Sequence, residues 1–311
     1  MMILIQTTLE LGLISALTVL ALFLSYSMLN VCDLSTDGCF TMGAAVGAMV
    51  ALSGHPILSI FAAMLAGMIS GFVVSILQTK MGIDSLLSGI VVNTGLYSIN
   101  IAIMKNSSLV NLNKTKTVFT MMKDLLAPTI LADWYKVITA LVFVVLVILF
   151  LSFFLRTRLG LAIRATGNNP AMVKASSINP AFTTIVGLCV ANAFTALSGC
   201  LLAQVQKAAN IDIGGGMVTV ALASLLIGSV FLNKGKVTKK AIGAVLGACV
   251  FRLVYTVALR FNMPASMLKL VSSVIVIVAI FGPYAKAKYP MFKRKMDLKK
   301  QAITERRDEN A

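Results

Sequence analysis

Charge is scarce in this sequence. Asp, Glu, Lys and Arg make up 12% of its 311 residues, about half the share of a soluble domain. That is too little to coat a water-soluble globule of this size, so a soluble enzyme and a disordered chain are both excluded. Acid is scarcer still, 11 Asp+Glu against 27 Lys+Arg, which leaves a net charge of +16. Nucleic-acid binders share such a basic balance but are rich in polar side chains. This chain is 58% hydrophobic, so no nucleic-acid partner is expected. The one histidine, His55, sits in a Gly54-His55-Pro56 turn, with no HExxH and no clustered ligands, so no metal is expected. Cys32, Cys39, Cys189, Cys200 and Cys249 are odd in number, form no CxxC pair and lie in or beside apolar runs. They read as buried thiols acting as small hydrophobes. No GxxxxGK[ST] loop is present, since Gly235-Lys236-Val237 lacks both the leading glycine and the hydroxyl residue. ATP hydrolysis by that route is excluded, and no cofactor is expected on this chain. An intramembrane enzyme also fails, because no embedded Ser/His or Asp/Asp pair has suggestive spacing.

What the sequence has in abundance is long apolar runs. A membrane helix needs about 20 such residues. Candidate spans lie at roughly 5–29, 39–53, 57–77, 85–104, 137–155, 182–205, 215–232, 241–259 and 267–285. The second and seventh are short and glycine-rich, so whether they are full crossings stays open at this point. The expected fold is an all-α polytopic membrane protein with about 8–10 membrane segments, some broken or re-entrant, and an inverted repeat. The first run has no positive n-region and no small-residue cleavage site, and so reads as a retained segment. Residues 1–285 form one transmembrane domain and 286–311 a basic cytoplasmic tail.

Basic loops orient the chain. Residues 156–180 carry Arg156, Arg158, Arg164 and Lys174 without an acid, and 233–240 carry Lys234, Lys236, Lys239 and Lys240 without one. The tail from Lys286 has nine basic residues against four acids. Placing all three in the cytoplasm leaves an even number of crossings between them. The outer loop, about 105–136, then receives Lys105, Lys114, Lys116, Lys123 and Lys136, which counts against the assignment and is partly offset by Asp124 and Asp133. The side of the N-terminus stays open. An internal echo, Ser85-Leu-Leu-Ser-Gly89-Ile-Val-Val-Asn93 against Ser224-Leu-Leu-Ile-Gly228-Ser-Val-Phe-Leu-Asn233, runs in opposite directions across the membrane, as an inverted-repeat transporter requires.

Three stretches carry chemistry. Asn30-Val-Cys-Asp33-Leu-Ser35-Thr36-Asp37-Gly38 interrupts apolar sequence with two acids, an amide and two hydroxyls, and Gly38 permits a backbone break. Broken backbone at membrane depth is tolerated where it lines a cavity or is buried in protein. The stretch therefore reads as a broken helix beside a translocation path, or as an interfacial loop with two solvated aspartates. Residues 156–180 contain Arg164-Ala-Thr-Gly167-Asn168-Asn169-Pro170-Ala171-Met172, in which Asn169 suits an N-cap and Pro170 a first helical position. A stubby helix there suits a docking surface for a cytosolic partner, and the alternative is a purely topogenic loop. Arg252 stands mid-helix, where a charge costs about 2.5–3.5 kcal/mol on insertion scales. It either steers a substrate carboxylate or pairs with Glu10, Asp33 or Asp37. Gly43/Gly47, Gly67/Gly71 and Gly243/Gly247, each four apart, permit close helix packing.

The run from Arg158 through Gly160, Arg164-Ala165, Gly167 and Asn169 to Met172 resembles the coupling-helix region of ABC importer permeases of the branched-chain amino acid and ribose type. Asp33-Leu-Ser-Thr-Asp-Gly38 is similar to that family's D-L-S-x-G segment. Gly214-Gly-Gly216 leading to Ala221-x-Ala223-Ser-Leu-Leu-Ile-Gly228 resembles its glycine-led run. The three motifs span residues 29–285 in family order, and the wording is closest to permeases of tryptophan/tyrosine-type importers. Asn168-Asn-Pro-Ala-Met172 departs from the Asn-x-x-Ala-Ala of many relatives.

The resemblance implies one half of a permease homodimer in the bacterial cell membrane. A cytosolic ABC ATPase would use the ATP, and an extracellular substrate-binding lipoprotein would deliver a small solute, an amino acid and, by the tryptophan/tyrosine-type wording, an aromatic one. Arg164, Gly167, Asn168, Asn169, Pro170, Ala171 and Met172 would couple to the ATPase. Asp33, Ser35, Thr36, Asp37, Gly38 and Arg252 would line the path. The basic loops and tail would meet anionic lipid or the ATPase. The competing reading is a gradient-driven secondary transporter, which needs membrane-embedded acids as an ion relay. Only Glu10, Asp33 and Asp37 are candidates for that role.

Overall fold

The structure, a computed structural model, describes residues 2–126, 134–232 and 237–260, with isolated positions between 270 and 281. The basic tail, Lys234 and Lys236, and most of the span expected at 267–285 lie outside the described residues. Helix α1 (Met2–Leu22) ends in a π-helical turn, Phe23–Met28, and an extended stretch leads to α2 (Thr36–Leu52). Helices α3 (Pro56–Thr79) and α4 (Ser85–Ile103) follow. Next come β1 (Leu109–Asn111), α5 (Val118–Leu126) and α6 (Tyr135–Phe154). Then α7 (Arg158–Asn168), α8 (Pro170–Ala175), α9 (Pro180–Gln206) and β2 (Ala208–Asn210) lead to α10 (Met217–Phe231) and α11 (Val237–Arg260). The chain is an all-α polytopic membrane protein. Among the described residues six helices are long and apolar enough to cross a bilayer, while α2 and α10 are the two short ones.

Local chemistry places the helix ends. Asp84 and Asn179 cap α4 and α9 by accepting the N–H of Leu86 and Ala181, at 2.8 and 3.0 Å. Pro56 and Pro180 occupy first turns, where a missing N–H costs nothing. Within the bilayer, small residues let backbones touch. Gly43 and Gly47 of α2 lie on Ala196 and Cys200 of α9, and Gly67 and Gly71 of α3 lie on Asn192 and Leu188. These pairings run α2 parallel and α3 antiparallel to α9. Gly228 of α10 abuts Gly243 of α11, and Gly247 abuts Ser224, so those two helices are antiparallel.

The same contacts sort the loops onto two faces. Gly167 rests on Met28 and Leu29, and Gly187 faces Leu29, which puts the end of α1 on the face of the 156–180 loop. On the opposite face β1 pairs antiparallel with β2, Val110 opposite Ala209. There the Val118 N–H donates to Gln204 Oε1 and Lys136 Nζ pairs with Glu10 at 3.5 Å. The start of α1 therefore lies on the face away from the basic loops, which answers the question the sequence left open. The two short strands and α5 were not foreseen in the outer loop.

An inverted repeat is visible in element order. A long helix, an extended connection, a short helix and a 24-residue helix (α1, α2, α3) recur as α9, α10 and α11 in the opposite sense. Helix α2 packs on α9 and α3, and α10 packs on α1 and α11. The positional counterpart of α10 is thus α2, not the α4 segment that the Ser85/Ser224 echo suggests. Leu, Ser and Gly recur in any small-residue membrane helix, and that match reflects composition.

Candidate functional site

The stretch between α1 and α2 is pinned inside the protein. Asp33 is 2% exposed. Its Oδ1 accepts the Ser35 N–H at 2.8 Å and its Oδ2 accepts Asn192 Nδ2 of α9 at 2.9 Å. Thr36 Oγ1 donates to the Asp33 carbonyl at 2.9 Å, and Ser35 and Thr36 are both buried. Asp33 is therefore a buried tie between the broken backbone and α9. The reading as an interfacial loop with two solvated aspartates does not survive. Nor is Gly38 the break. Asn30 carries the left-handed backbone (φ 57°), whereas Gly38 lies inside α2. A Cβ at Gly38 would come 2.6 Å from Asn93 Oδ1 and 3.1 Å from Leu96 Cβ, so glycine there lets α2 lie close against α4.

Asp37 does a different job. Its Oδ2 accepts the Gly216 N–H at 2.9 Å and its Oδ1 the Val218 N–H at 2.8 Å. A carboxylate at a helix N-terminus satisfies donors that have no intrahelical partner and opposes the positive end of the helix dipole. Asp37 sits in the first turn of α2 and caps the first turn of α10, while Gly214 packs on its carbonyl. The first turns of both short helices thus meet at one side chain.

Beside this junction is a cleft of about 430 Å³, a size typical of a small-molecule site. Helix α2 contributes Asp37, Gly38 and Thr41. Helix α4 contributes Asn93, Thr94, Tyr97, Ser98 and Asn100, and the α9–α10 connection contributes Ile211, Asp212 and Gly215. Of the six residues assigned to a path from sequence, the structure brings Asp37 and Gly38 to this wall. Asp33, Ser35 and Thr36 are not on it. The polar face of α4 was missed, although Asn93, Tyr97 and Asn100 follow the i, i+4, i+7 spacing of one helix face in an otherwise apolar segment.

Arg252 lies elsewhere, on α11 against Gly12 of α1. Its guanidinium is 5.1 Å from the centre of the Tyr255 ring, within cation–π range. Glu10, one of its suggested partners, is paired with Lys136. Asp33 and Asp37 are held by the donors given above.

On the basic face, α7 and α8 form an elbow. Thr157 caps α7 by accepting the Gly160 N–H at 3.2 Å. Asn169 closes α7 through its N–H to the Ala165 carbonyl at 2.9 Å, and caps α8 by accepting the Met172 N–H at 3.1 Å. Gly167 presses on the end of α1, and Thr166 Oγ1 lies 2.8 Å from Thr183 Oγ1 of α9. Val173 is buried and Arg164 half-buried, whereas Asn168, Asn169, Pro170 and Ala171 are exposed and Met172 is 68% exposed.

A polytopic bundle with two short helices meeting at an internal cleft, and a helical elbow on one face, defines the class as a membrane transport protein. Residues 4–280 match the family of branched-chain amino acid transport system permease components, and the chain belongs to that family. It is 32% identical over 267 residues to the tyrosine transport system permease protein of Clostridioides difficile (strain R20291), covering 86% of each chain. It is 31% identical to the uncharacterized protein RP368 of Rickettsia prowazekii (strain Madrid E), covering 88% of this chain and 95% of that one. No solved structure matches. The chain is accordingly a multi-pass permease component of the bacterial cell membrane.

Proposed function

We propose that this chain is the membrane subunit of an ATP-driven importer that carries an aromatic amino acid, with two copies forming the path. The observation that carries the reading is the α7–α8 elbow, which exposes Met172 on the basic face while resting on both α1 and α9. Those two long helices open the two halves of the repeat. A cytosolic ATPase that grips the elbow through Arg164 and Asn168–Met172 moves the end of α1 through Gly167 and the start of α9 through Thr166–Thr183. Each long helix leads into a short one, and Asp37 links the short helices, so the displacement reaches the cleft. The exposed face of α4, with Leu86, Leu87, Ile90, Val91 and Tyr97, suits the second copy closing the path. An extracellular binding protein delivers the solute from the opposite face. The named substrate of the Clostridioides relative supports tyrosine or a similar amino acid. A gradient-driven mechanism is disfavoured, because Glu10, Asp33 and Asp37 are each held by separate partners and form no relay.

Uptake of radiolabelled tyrosine into proteoliposomes holding the permease, its ATPase and its binding protein tests this. Uptake is expected to require ATP and to persist with an uncoupler. Arg164→Glu combined with Met172→Pro is expected to abolish ATPase association. Uncoupler-sensitive uptake by the chain alone would refute the proposal.

A further inference from the structure

We infer that the cleft between α2, α4 and the α9–α10 connection is a subsite for the ammonium group of the solute, a deepening that rests on the reading of the chain as an amino acid permease. Its wall presents acceptors. Asp212 is an exposed carboxylate, and Asp37 adds a second negative charge. Neither Lys nor Arg contributes to the wall among the described residues.

An independent feature points the same way. Asn100 is 1% exposed and lies on the cleft wall. Its Nδ2 donates to the Gly38 carbonyl at 3.1 Å, which fixes the amide orientation because that carbonyl can only accept. Asn100 Oδ1 is left buried without a partner. A buried acceptor without a donor costs about 1–3 kcal/mol, so a donor supplied by the solute recovers free energy on binding. The N–H groups at the start of α10 that could hold an anion are already spent, since those of Gly216 and Val218 go to Asp37, and among the described residues the wall offers no cation to a carboxylate. An incoming zwitterion therefore turns its ammonium towards Asn100 and Asp212 and leaves its carboxylate towards the open side. A sugar or a nucleoside brings no such cation.

Direct binding to the purified full chain in nanodiscs tests the inference without the binding protein, whose own selectivity would mask it. The probes are tritiated tyramine, which keeps the ammonium and lacks the carboxylate, and tritiated 3-(4-hydroxyphenyl)propionate, which keeps only the carboxylate. Tyramine is expected to bind and the propionate not. Asp212→Asn is expected to weaken tyramine about tenfold, the effect of losing one charge-assisted hydrogen bond, and Asp212→Glu to restore it. No tyramine binding, equal binding of the propionate, or an Asp212→Asn variant that binds like wild type would overturn it. Any of these beside ATP-dependent tyrosine uptake by the wild-type assembly sinks the ammonium subsite alone. Loss of that uptake sinks the parent reading as well.

Discussion

The backbone N–H of Val218 donates to Asp37 Oδ1 at 2.8 Å, joining the first turn of one short helix to the first turn of the other across 181 residues of chain. The Gly216 N–H reaches the second oxygen of the same carboxylate. Two short helices whose leading stretches of chain enter from opposite faces are thereby held together beside the cleft.

Replacing Asp37 by Asn tests this junction. An amide oxygen can accept one of the two N–H groups, but the amide nitrogen then confronts the other. The loss of a helix cap is about 1–2 kcal/mol. Asp37→Asn is expected to lower the melting temperature of the purified chain by several degrees and to cut ATP-driven uptake at least tenfold. The protein should still reach the membrane. Wild-type uptake by this variant would show that the short helices need no such tie.

Much of this architecture is legible in the sequence because the bilayer imposes length. Runs such as 57–77 and 137–155 are apolar for a full crossing, and the structure places α3 and α6 there. The short, glycine-rich second and seventh runs become α2 and α10 for the same reason. Asn169-Pro170 announces the start of α8 through purely local chemistry. The site was less legible. Asp33 and Asp37 have the same side chain four residues apart, and only tertiary contacts make one a buried tie and the other a cap. Attention to charge drew Arg252 into the path, whereas the cleft is built largely from neutral residues of α4, whose amides and hydroxyls stand out only as a helical stripe. The α1–α2 break falls at Asn30 and not at Gly38, because glycine there answers to the neighbouring α4.

Asp33 and Asn192 form a buried pair 159 residues apart in sequence. Asn192→Leu removes the donor and strands a carboxylate oxygen, at a cost of about 2–3 kcal/mol. A drop in melting temperature and in protein level is expected. Adding Asp33→Asn in that background removes the stranded charge and is expected to recover part of the loss. If the two substitutions destabilise additively in thermal unfolding of the purified variants, the pair carries no coupling and the broken stretch is held by other contacts.

Arg252 tests whether charge inside apolar sequence marks the path at all. Its guanidinium lies over Tyr255 and its Cβ against Gly12, so its surroundings are the α1–α11 seam and not the cleft. Methionine preserves most of the apolar stem and forfeits a cation–π contact worth about 0.5–2 kcal/mol. Arg252→Met is therefore expected to give slightly less stable protein whose tyrosine uptake per molecule stays near wild type. Arg252→Glu instead places an anion beside the electron-rich ring face, and membrane protein level should fall. Uptake normalised to protein level, measured for both variants, separates the cases. If Arg252→Met arrives in normal amount and transports nothing, Arg252 acts on the solute, and the path must run along α11.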